Sequence, residues 1–513
     1  MPFGGPPAEA GTVYLVGGGP GDPGLVTLRG AQLLATATVI AHDRLSPPEP
    51  LTLRRDDAEL INVGKQPARH ALSQDEINDL LVVKAAAGEA VVRFKGGDPF
   101  VLARGSEEAQ ACAVAGIPFQ VVPGITSGIA APAYAGIPVT HRSVAPAFAV
   151  VTGHEDPSKG ATQADYAALA RFPGTLLLYM GMGRLGEIAA ALVDAGRPAT
   201  TPVALVEWGT TPRQRTVTAT LADVADRARQ VGLASPAIIV VGDVVALRDE
   251  IGWFEQRPLH GMSVLVPRTR HQASELSERL RTLGADPVEA PTIAIEPSRA
   301  TEALRDAVAS LVDGAYDWVV FTSSNGVDAT WAHVEQLGGD ARWFSRVRLG
   351  AVGSGTAEAL WQRGLLADVV PERQTTRALA QALIAAASAA APRALLPRAD
   401  LATPTLTAEL RDAGWDADDI EAYRTVAAAE LPDGVAERIR DGGVDAVAFA
   451  SSSTVRNLVD LLGGTPPPAT RIVSIGPVTS QTCREVGMRV DAEAESHDID
   501  GLVAAVVAAT RTG

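Results

Sequence analysis

The sequence is poor in lysine, in cysteine and in aromatic side chains, and the shortages remove whole classes of chemistry. Its four lysines are Lys65, Lys84, Lys95 and Lys159, so the second half has none. That half has no lysine for a Schiff base or a phosphate-binding P-loop. Arginines, hydroxyls and backbone amides must hold whatever it binds. The two cysteines, Cys112 and Cys483, stand far apart, with no second ligand at metal-binding spacing. No metal site is expected, and a reduced cytoplasmic protein is the simple reading. Long apolar runs are missing too. The alanine-rich uncharged stretch Ala378–Pro392, at about 15 residues, falls short of a membrane span and reads as a packed helix. Met1–Gly11 has neither the basic start nor the apolar core of a signal peptide. A basic excess is absent as well: 44 Lys and Arg face 60 Asp and Glu, for a net charge of −16. That argues against a nucleic-acid partner. Both halves are acidic, with 20 basic against 26 acidic residues up to Glu255 and 24 against 34 beyond it. An acidic ligand must therefore be held by a local basic cluster.

What is present is an α/β pattern over 513 residues, long enough for roughly three to four domains. An apolar strand at Thr12–Val16 runs into a glycine loop, Gly17–Gly24, and strand and helix patterns then alternate to about Val245. A run of small residues from Pro123 reads as a seam between two subdomains, about 12–127 and 145–255. Residues 256–261 read as a linker, and a fresh strand begins near Ser263.

The second half, 262–513, repeats itself. The Val264 strand matches the Ala394 strand, and Leu280 matches Leu410, each 130 residues on. Asp317–Val327 matches Asp445–Val455 at 128, and Arg348–Thr356 matches Arg471–Thr479 at 123. Four blocks in order imply an internal duplication, with two α/β lobes facing a cleft. Each block ends in hydroxyl or glycine residues, at the strand ends where open parallel sheets bind ligands.

The glycine loop first suggests a dinucleotide site, whose fingerprint wants glycine at positions one, three and six. Gly17 and Gly19 fit, and Asp43 supplies the later acid, but position six is Asp22; a carboxylate there would face the pyrophosphate. Taken whole, the string Val13–Gly30 instead resembles the opening of uroporphyrinogen-III C-methyltransferases. Later motifs resemble that family in order: His42–Leu45, Val63–Lys65, Arg93–Phe100, Val122–Ser127, Ala135–Arg142, Val151–His154, Tyr179–Gly181 and Glu207–Arg215. The similarity covers about 12–255. It implies transfer of two methyl groups from S-adenosylmethionine to uroporphyrinogen III, giving precorrin-2 and S-adenosylhomocysteine, with most of the catalysis from alignment and exclusion of water. By the same resemblance, Pro20, Gly96, Gly97, Asp98, Val101, Thr126, Ser127, Met180, Gly209 and Ala237 contact the donor. Asp43 matches the family's proposed base and Lys65 its proposed proton donor. Arg44 and Arg142, with His141, Arg213 and Arg215, are candidate clamps for substrate carboxylates. Plainer readings stay open: Gly96–Gly97 as a turn, Met180 as core, the arginines as surface. Nothing resembles the dehydrogenase–ferrochelatase module fused to this enzyme in sirohaem synthases, so the product is expected to stop at precorrin-2.

Residues 262–513 resemble uroporphyrinogen-III synthase, on the strings Val264–Arg268, Phe321–Val327, Ala351–Thr356, Leu395–Arg398, Tyr423–Thr425, Phe449–Val455 and Ile475–Thr479. The resemblance implies closure of hydroxymethylbilane with inversion of its last pyrrole and loss of water, by an enzyme that folds its substrate and shields a reactive cation. Tyr423 matches the tyrosine proposed to help hydroxide leave. Thr322, Ser323, Ser324, Asn325, Ser451, Ser452, Ser453, Gly476 and Thr479 would offer hydroxyls and amides to propionates, and Arg268 and Arg398, with Arg424, would add charge. Serines after strands also serve as helix caps, and Tyr423 as hinge core. The family's chain path gives lobe one as about 262–294 plus 426–513 and lobe two as about 297–423. The resemblance to a usually dimeric methyltransferase implies a homodimer acting on small tetrapyrroles, with no membrane partner. A non-catalytic binding or scaffold role for the second half, and a later corrinoid substrate for the first, remain as alternatives.

Overall fold

The computed structural model describes residues 5–64, 72–153, 164–267, 270–299, 301–389, 391–400 and 402–511. The chain divides into two compact units, Met1–Ser263 with Glu278–Pro287, and Val264–Ser277 with Val288–Gly513.

The first unit opens with β1 (Val13–Gly17), β2 (Val39–His42), β3 (Glu59–Asn62), β4 (Val91–Lys95) and β5 (Phe119–Val122), in sheet order β3-β2-β4-β1-β5. Every pairing is parallel. The continuous apolar run of β1 follows from that, because helices cover both faces of a parallel sheet. Val13, Leu15 and Val91 enter one core cluster, while Tyr14, Val16 and Val92 enter the other.

A second sheet follows: β6 (Phe148–Thr152), β7 (Thr175–Tyr179), β8 (Pro202–Glu207), β9 (Arg215–Thr220) and β10 (Ala237–Val241), in order β6-β7-β10-β8-β9. Only β6–β7 is parallel; β7–β10, β10–β8 and β8–β9 are antiparallel. The helix Ser127–Tyr134, at the expected seam, lays Ala131 and its neighbours Ala135 and Ile137 against Leu177, Tyr179, Val206 and Val240 of this sheet.

The remaining strands are β11 (Ser263–Val266), β12 (Asp286–Glu289), β13 (Ile293–Pro297), β14 (Trp318–Phe321), β15 (Arg348–Ala351), β16 (Arg393–Ala399), β17 (Asp416–Ala427), β18 (Ala446–Phe449), β19 (Arg471–Ser474) and β20 (Ala492–Glu493). They form two sheets, β12-β11-β18-β19-β20 and β13-β17-β16-β14-β15. The repeated blocks of sequence occupy the same places in both: β11 corresponds to β16, β18 to β14 and β19 to β15. A parallel bridge from Gly350 to Val369 stands where β20 stands in the other sheet. Side-chain detail repeats too. Asp368 Oδ2 accepts from Leu349 N–H at 2.7 Å, and Asp491 Oδ2, 123 residues on, accepts from Ile472 N–H at 2.8 Å.

The segment Asp286–Pro297 lies 130 residues before Asp416–Ala427. It forms β12 in one sheet and β13 in the other, where it runs antiparallel to β17 with Ile295 opposite Thr425. The pairing Ile293–Ala427 becomes Tyr423–Pro297 when each residue is exchanged for its repeat, so a pseudo-twofold passes through the Ile295–Thr425 pair. The alanine-rich stretch forms the helix Thr376–Ala386, with Leu379, Ala380 and Leu383 buried. No helix among the described residues is long and apolar enough to cross a membrane.

Candidate functional site

In the first unit, the loops leaving β1, β4 and β5 interlock backbone to backbone. A Cβ on Gly17 would lie 2.5 Å from Gly124 Cα and 2.7 Å from Gly97 O, and one on Gly124 would lie 2.2 Å from Gly97 O. No other residue fits at either position. Gly19 and Gly97 exchange hydrogen bonds of 3.2 and 2.6 Å, both at positive φ. The Asp98 carboxylate braces this assembly, one oxygen accepting from Gly124 N–H at 3.0 Å and the other from Phe100 N–H at 2.8 Å. Asp98, expected at the donor, thus acts first on the loops themselves. Asp22 is a cap: Oδ1 accepts from Gly24 N–H at 2.8 Å and Oδ2 from the Tyr134 hydroxyl at 2.7 Å. Burial, reinforced by Asp22, pushes the Tyr134 phenol well above its ordinary value. The Asp22 N–H donates to Thr210 Oγ1 at 3.1 Å, which ties the glycine loop to the segment after β8.

That segment carries unusual backbone. Among the described residues, the non-glycine ones at positive φ are Leu102, Arg104, Met180, Trp208 and Thr210, all following β4, β7 or β8. Such conformations cost of order 1–3 kcal/mol each and gather at functional sites. Met180 is about half exposed, at 52%, so it is not core. A Cβ on Gly209 would lie 2.3 Å from Ala131 Cβ, fixing Gly209 against the helix Ser127–Tyr134. Thr126 Oγ1 lies 2.6 Å from the Tyr179 hydroxyl, which also accepts from Gly128 N–H. The structure therefore brings Pro20, Gly96, Gly97, Thr126 and Ser127 to strand ends of the first sheet, and Met180, Gly209 and Ala237 to strand ends of the second. Val101, just past Asp98, packs on the second sheet's core.

Asp43, directly after β2, is held by Arg93, whose Nη2 donates to Asp43 Oδ1 at 2.6 Å. Behind it lies a buried ion cluster. Glu108 Oε1 accepts from Arg93 Nε at 3.0 Å and Lys95 Nζ at 2.8 Å. Burial, with Arg93 adding repulsion, lowers the Lys95 ammonium from its ordinary value. Sequence reasoning passed over this cluster, although Val91-Val-Arg-Phe-Lys95 puts two cations on one face of an apolar strand, and such cations need a buried anion. Arg44 and Arg142 are exposed. Arg213 lies over the Trp208 ring at 4.0 Å. Arg215 is engaged by Glu207 at 2.6 Å and is not a free clamp. Lys65 lies outside the described residues.

In the second unit, Tyr423 projects from β17 with its hydroxyl 2.9 Å from Ser323 Oγ. Ser323 caps the helix Ser324–Gln336, its Oγ accepting from Gly326 N–H at 3.1 Å. Thr322, Ser324 and Asn325 flank this cap, half-buried. Ser451 caps the repeated helix Ser452–Leu462 and lies 3.0 Å from Ser453 Oγ. Ser452 Oγ donates to Val478 O at 3.3 Å and accepts from the Thr482 hydroxyl at 2.9 Å. Gly476 starts the helix Pro477–Glu485 beneath the His497 ring, and Thr479 is buried. Arg398 corrects expectation. It is 2% exposed, with Nη1 on Asp419 Oδ2 at 2.9 Å and on Thr407 Oγ1 at 2.8 Å. Its charge is neutralised inside the lobe and cannot clamp a propionate. Arg268 lies outside the described residues. Among those described, no group of His, Cys, Asp and Glu could hold a metal ion.

Residues 12–225 match the family model of tetrapyrrole (corrin/porphyrin) methylases, and residues 274–504 match that of uroporphyrinogen-III synthase HemD. The porphyrin biosynthesis protein HemD of Ruminiclostridium josui is 37% identical over 495 residues, 96% of this chain and 97% of that protein. The uroporphyrinogen-III C-methyltransferase of Bacillus subtilis strain 168 is 41% identical over 360 residues, 70% of this chain and 73% of that one. A solved uroporphyrin-III C-methyl transferase from Thermus thermophilus, complexed with S-adenyl homocysteine, is 41% identical. That match covers 46% of this chain and 93% of the other, at a TM-score of 0.40.

Proposed function

Because the chain belongs to the family of porphyrin biosynthesis proteins that join a tetrapyrrole methylase to a uroporphyrinogen-III synthase, we propose that it performs two consecutive steps. The second half closes hydroxymethylbilane to uroporphyrinogen III with inversion of the last ring and loss of water. The first half methylates that product at C2 and C7 to give precorrin-2. The observation that carries the reading is the end-to-end correspondence of both halves to one relative, at 37% identity over 96% of the chain.

The chemistry of each site agrees. S-adenosylmethionine supplies the methyl group as a sulfonium. The glycine loops present bare backbone amides and carbonyls, because no Cβ fits at Gly17 or Gly124. Thr126 and Ser127 supply hydroxyls, and Met180 an exposed apolar contact. A cradle of this shape fits the donor. Asp43 stands at the adjoining strand end to stabilise the pyrrole cation or accept its proton. In the second half, the Tyr423 hydroxyl assists departure of hydroxide. Ser323 fixes that hydroxyl at the positive end of a 13-residue helix. The caps at Ser323 and Ser451 orient hydroxyls and free amides for propionates. We also place domain boundaries near residues 255 and 262, the protein in the cytoplasm, and the methylase half in a homodimer.

The test is a coupled assay without oxygen. Purified protein receives hydroxymethylbilane and methyl-labelled S-adenosylmethionine, with no other enzyme. Doubly labelled precorrin-2 is expected. Methylation only of added uroporphyrinogen III would leave the second half a binding unit, and methylation of neither by folded protein would overturn the reading.

A further inference from the structure

The most deeply buried charges of the first unit lie outside the residues assigned to donor or substrate. Glu108 is fully buried, Arg93 and Lys95 nearly so. One Glu108 oxygen takes Arg93 Nε, Lys95 Nζ and, at 3.3 Å, Gln74 Nε2, while Oε2 has no partner among the described residues. The arrangement is directional. Arg93 Nε faces Glu108, Nη1 donates to the Ala41 and Phe94 carbonyls, and Nη2 faces Asp43, whose side chain is 31% exposed and is the accessible charge of the four. Stability alone does not account for this. Replacing a buried ion network with packed apolar side chains is often neutral or stabilising, whereas leaving one member alone is costly. The strand offers apolar neighbours on both sides, Ala41 and Leu15 pairing with Arg93.

We propose that Glu108 is a positioning residue for methyl transfer: it anchors Arg93, and Arg93 holds the Asp43 carboxylate at the tetrapyrrole. The proposal rests on the reading of this half as a uroporphyrinogen-III methyltransferase with Asp43 at the site. A guanidinium can bridge two carboxylates through separate corners, which an ammonium cannot do in the same geometry. Partners that orient metal-ligating side chains contribute about 10- to 100-fold, and a positioning chain of the same kind sets the scale expected here.

The test is a double-mutant cycle on the full chain, read by single-turnover methylation of uroporphyrinogen III. Glu108→Gln keeps the side-chain shape and is expected to lower the rate about 10- to 100-fold, with the S-adenosylmethionine KM within about twofold of wild type, as expected when only the chemical step is affected. In an Asp43→Asn background the same change is expected to cost nothing further, because the group it positions is gone. Arg93→Lys provides a second probe should Glu108→Gln fold poorly, and the same pattern is expected. Additive losses in the cycle would overturn the proposal, as would loss of S-adenosylhomocysteine binding by both variants, since either marks a merely structural cluster. Failure of the underlying reading is distinguishable, because wild-type protein would then not methylate uroporphyrinogen III at all.

Discussion

The interlocked glycines make a quantitative prediction for Gly124→Ala. The new Cβ would sit 2.2 Å from Gly97 O and 2.7 Å from Gly17 Cα. A carbon–oxygen contact wants about 3.3 Å, so one loop must retreat by about 1 Å. Both atoms are backbone, and no side-chain rotamer can relieve the clash. The Gly97 carbonyl is held by Gly19 N–H, and Gly124 N–H by Asp98, so the retreat pulls apart the proposed donor cradle. Overpacking of this kind costs about 1–3 kcal/mol of stability, while a 1 Å misplacement costs about a hundredfold in rate. The fusion supplies its own control. Methyl transfer should fall about a hundredfold, and cyclisation of hydroxymethylbilane by the same preparation should be unchanged. Gly183→Ala, where a Cβ meets nothing within 4 Å, should leave both unchanged. A Gly124→Ala protein that methylates within threefold of wild type would refute the argument that these loops must touch.

The second unit yields three further predictions. Ser323→Ala removes the cap to Gly326 and the partner of Tyr423; the lost cap costs about 1 kcal/mol, and cyclisation should slow while methylation persists, so an unaltered cyclisation rate would count against the assignment of Tyr423. Asp368→Ala and Asp491→Ala each delete the equivalent carboxylate bond to a strand N–H; urea unfolding should show similar losses of about 1–2 kcal/mol, and a large effect in one lobe with none in the other would contradict equivalence of the repeats. Burial pushes the Cys483 thiol from 9.0 up to about 11. Because the fold favours the neutral thiol, this stabilisation is complete below about pH 9 and drains away as pH rises through 11; the Tm gap between wild type and Cys483→Ala should narrow over that range, and a constant gap would exclude it.

How far the sequence exposed this structure depended on whether the deciding partner was local. The β1 run and its glycine loop were legible because a buried parallel strand and a tight turn each leave a short signature. The duplication was legible because 130 residues of spacing survive in β11 and β16, and it implied two similar α/β lobes. The antiparallel pairing of β8 with β9 was not, since Trp208–Gln214 carries no two-residue hairpin signal and turns through Trp208 and Thr210 at positive φ. Arg398 shows the same limit at a single side chain. An arginine at a strand end reads as a ligand clamp until its partner is known, and Asp419 is fixed only by the β16–β17 register. Asp98 and Ser323 were singled out for contacts with ligands, yet their polar atoms first satisfy backbone amides nearby. Motif matching finds residues around a site but does not separate those that touch a ligand from those that hold the loops.

The duplicated half also shows where symmetry had to break. Its two lobes keep the strand order, the carboxylate on the β15 and β19 amides, and a serine cap after β14 and β18. Those features serve folding, and both copies need them. Tyr423 has no such twin, because the residue 130 positions earlier is Ile293. Ser323 therefore faces a phenol, while Ser451 faces Ser453 and Thr454 of its own helix. The reaction assigned to this half acts once, at one end of a linear substrate, so a second leaving-group assistant in the opposite lobe would have nothing to act on. On the proposed role of Tyr423, a symmetric scaffold carrying one asymmetric hydroxyl suits a substrate with distinguishable ends. Tyr423→Phe should therefore slow cyclisation far more than any single change at Ser451, and an equal loss at both would mean that the two lobes share the chemistry.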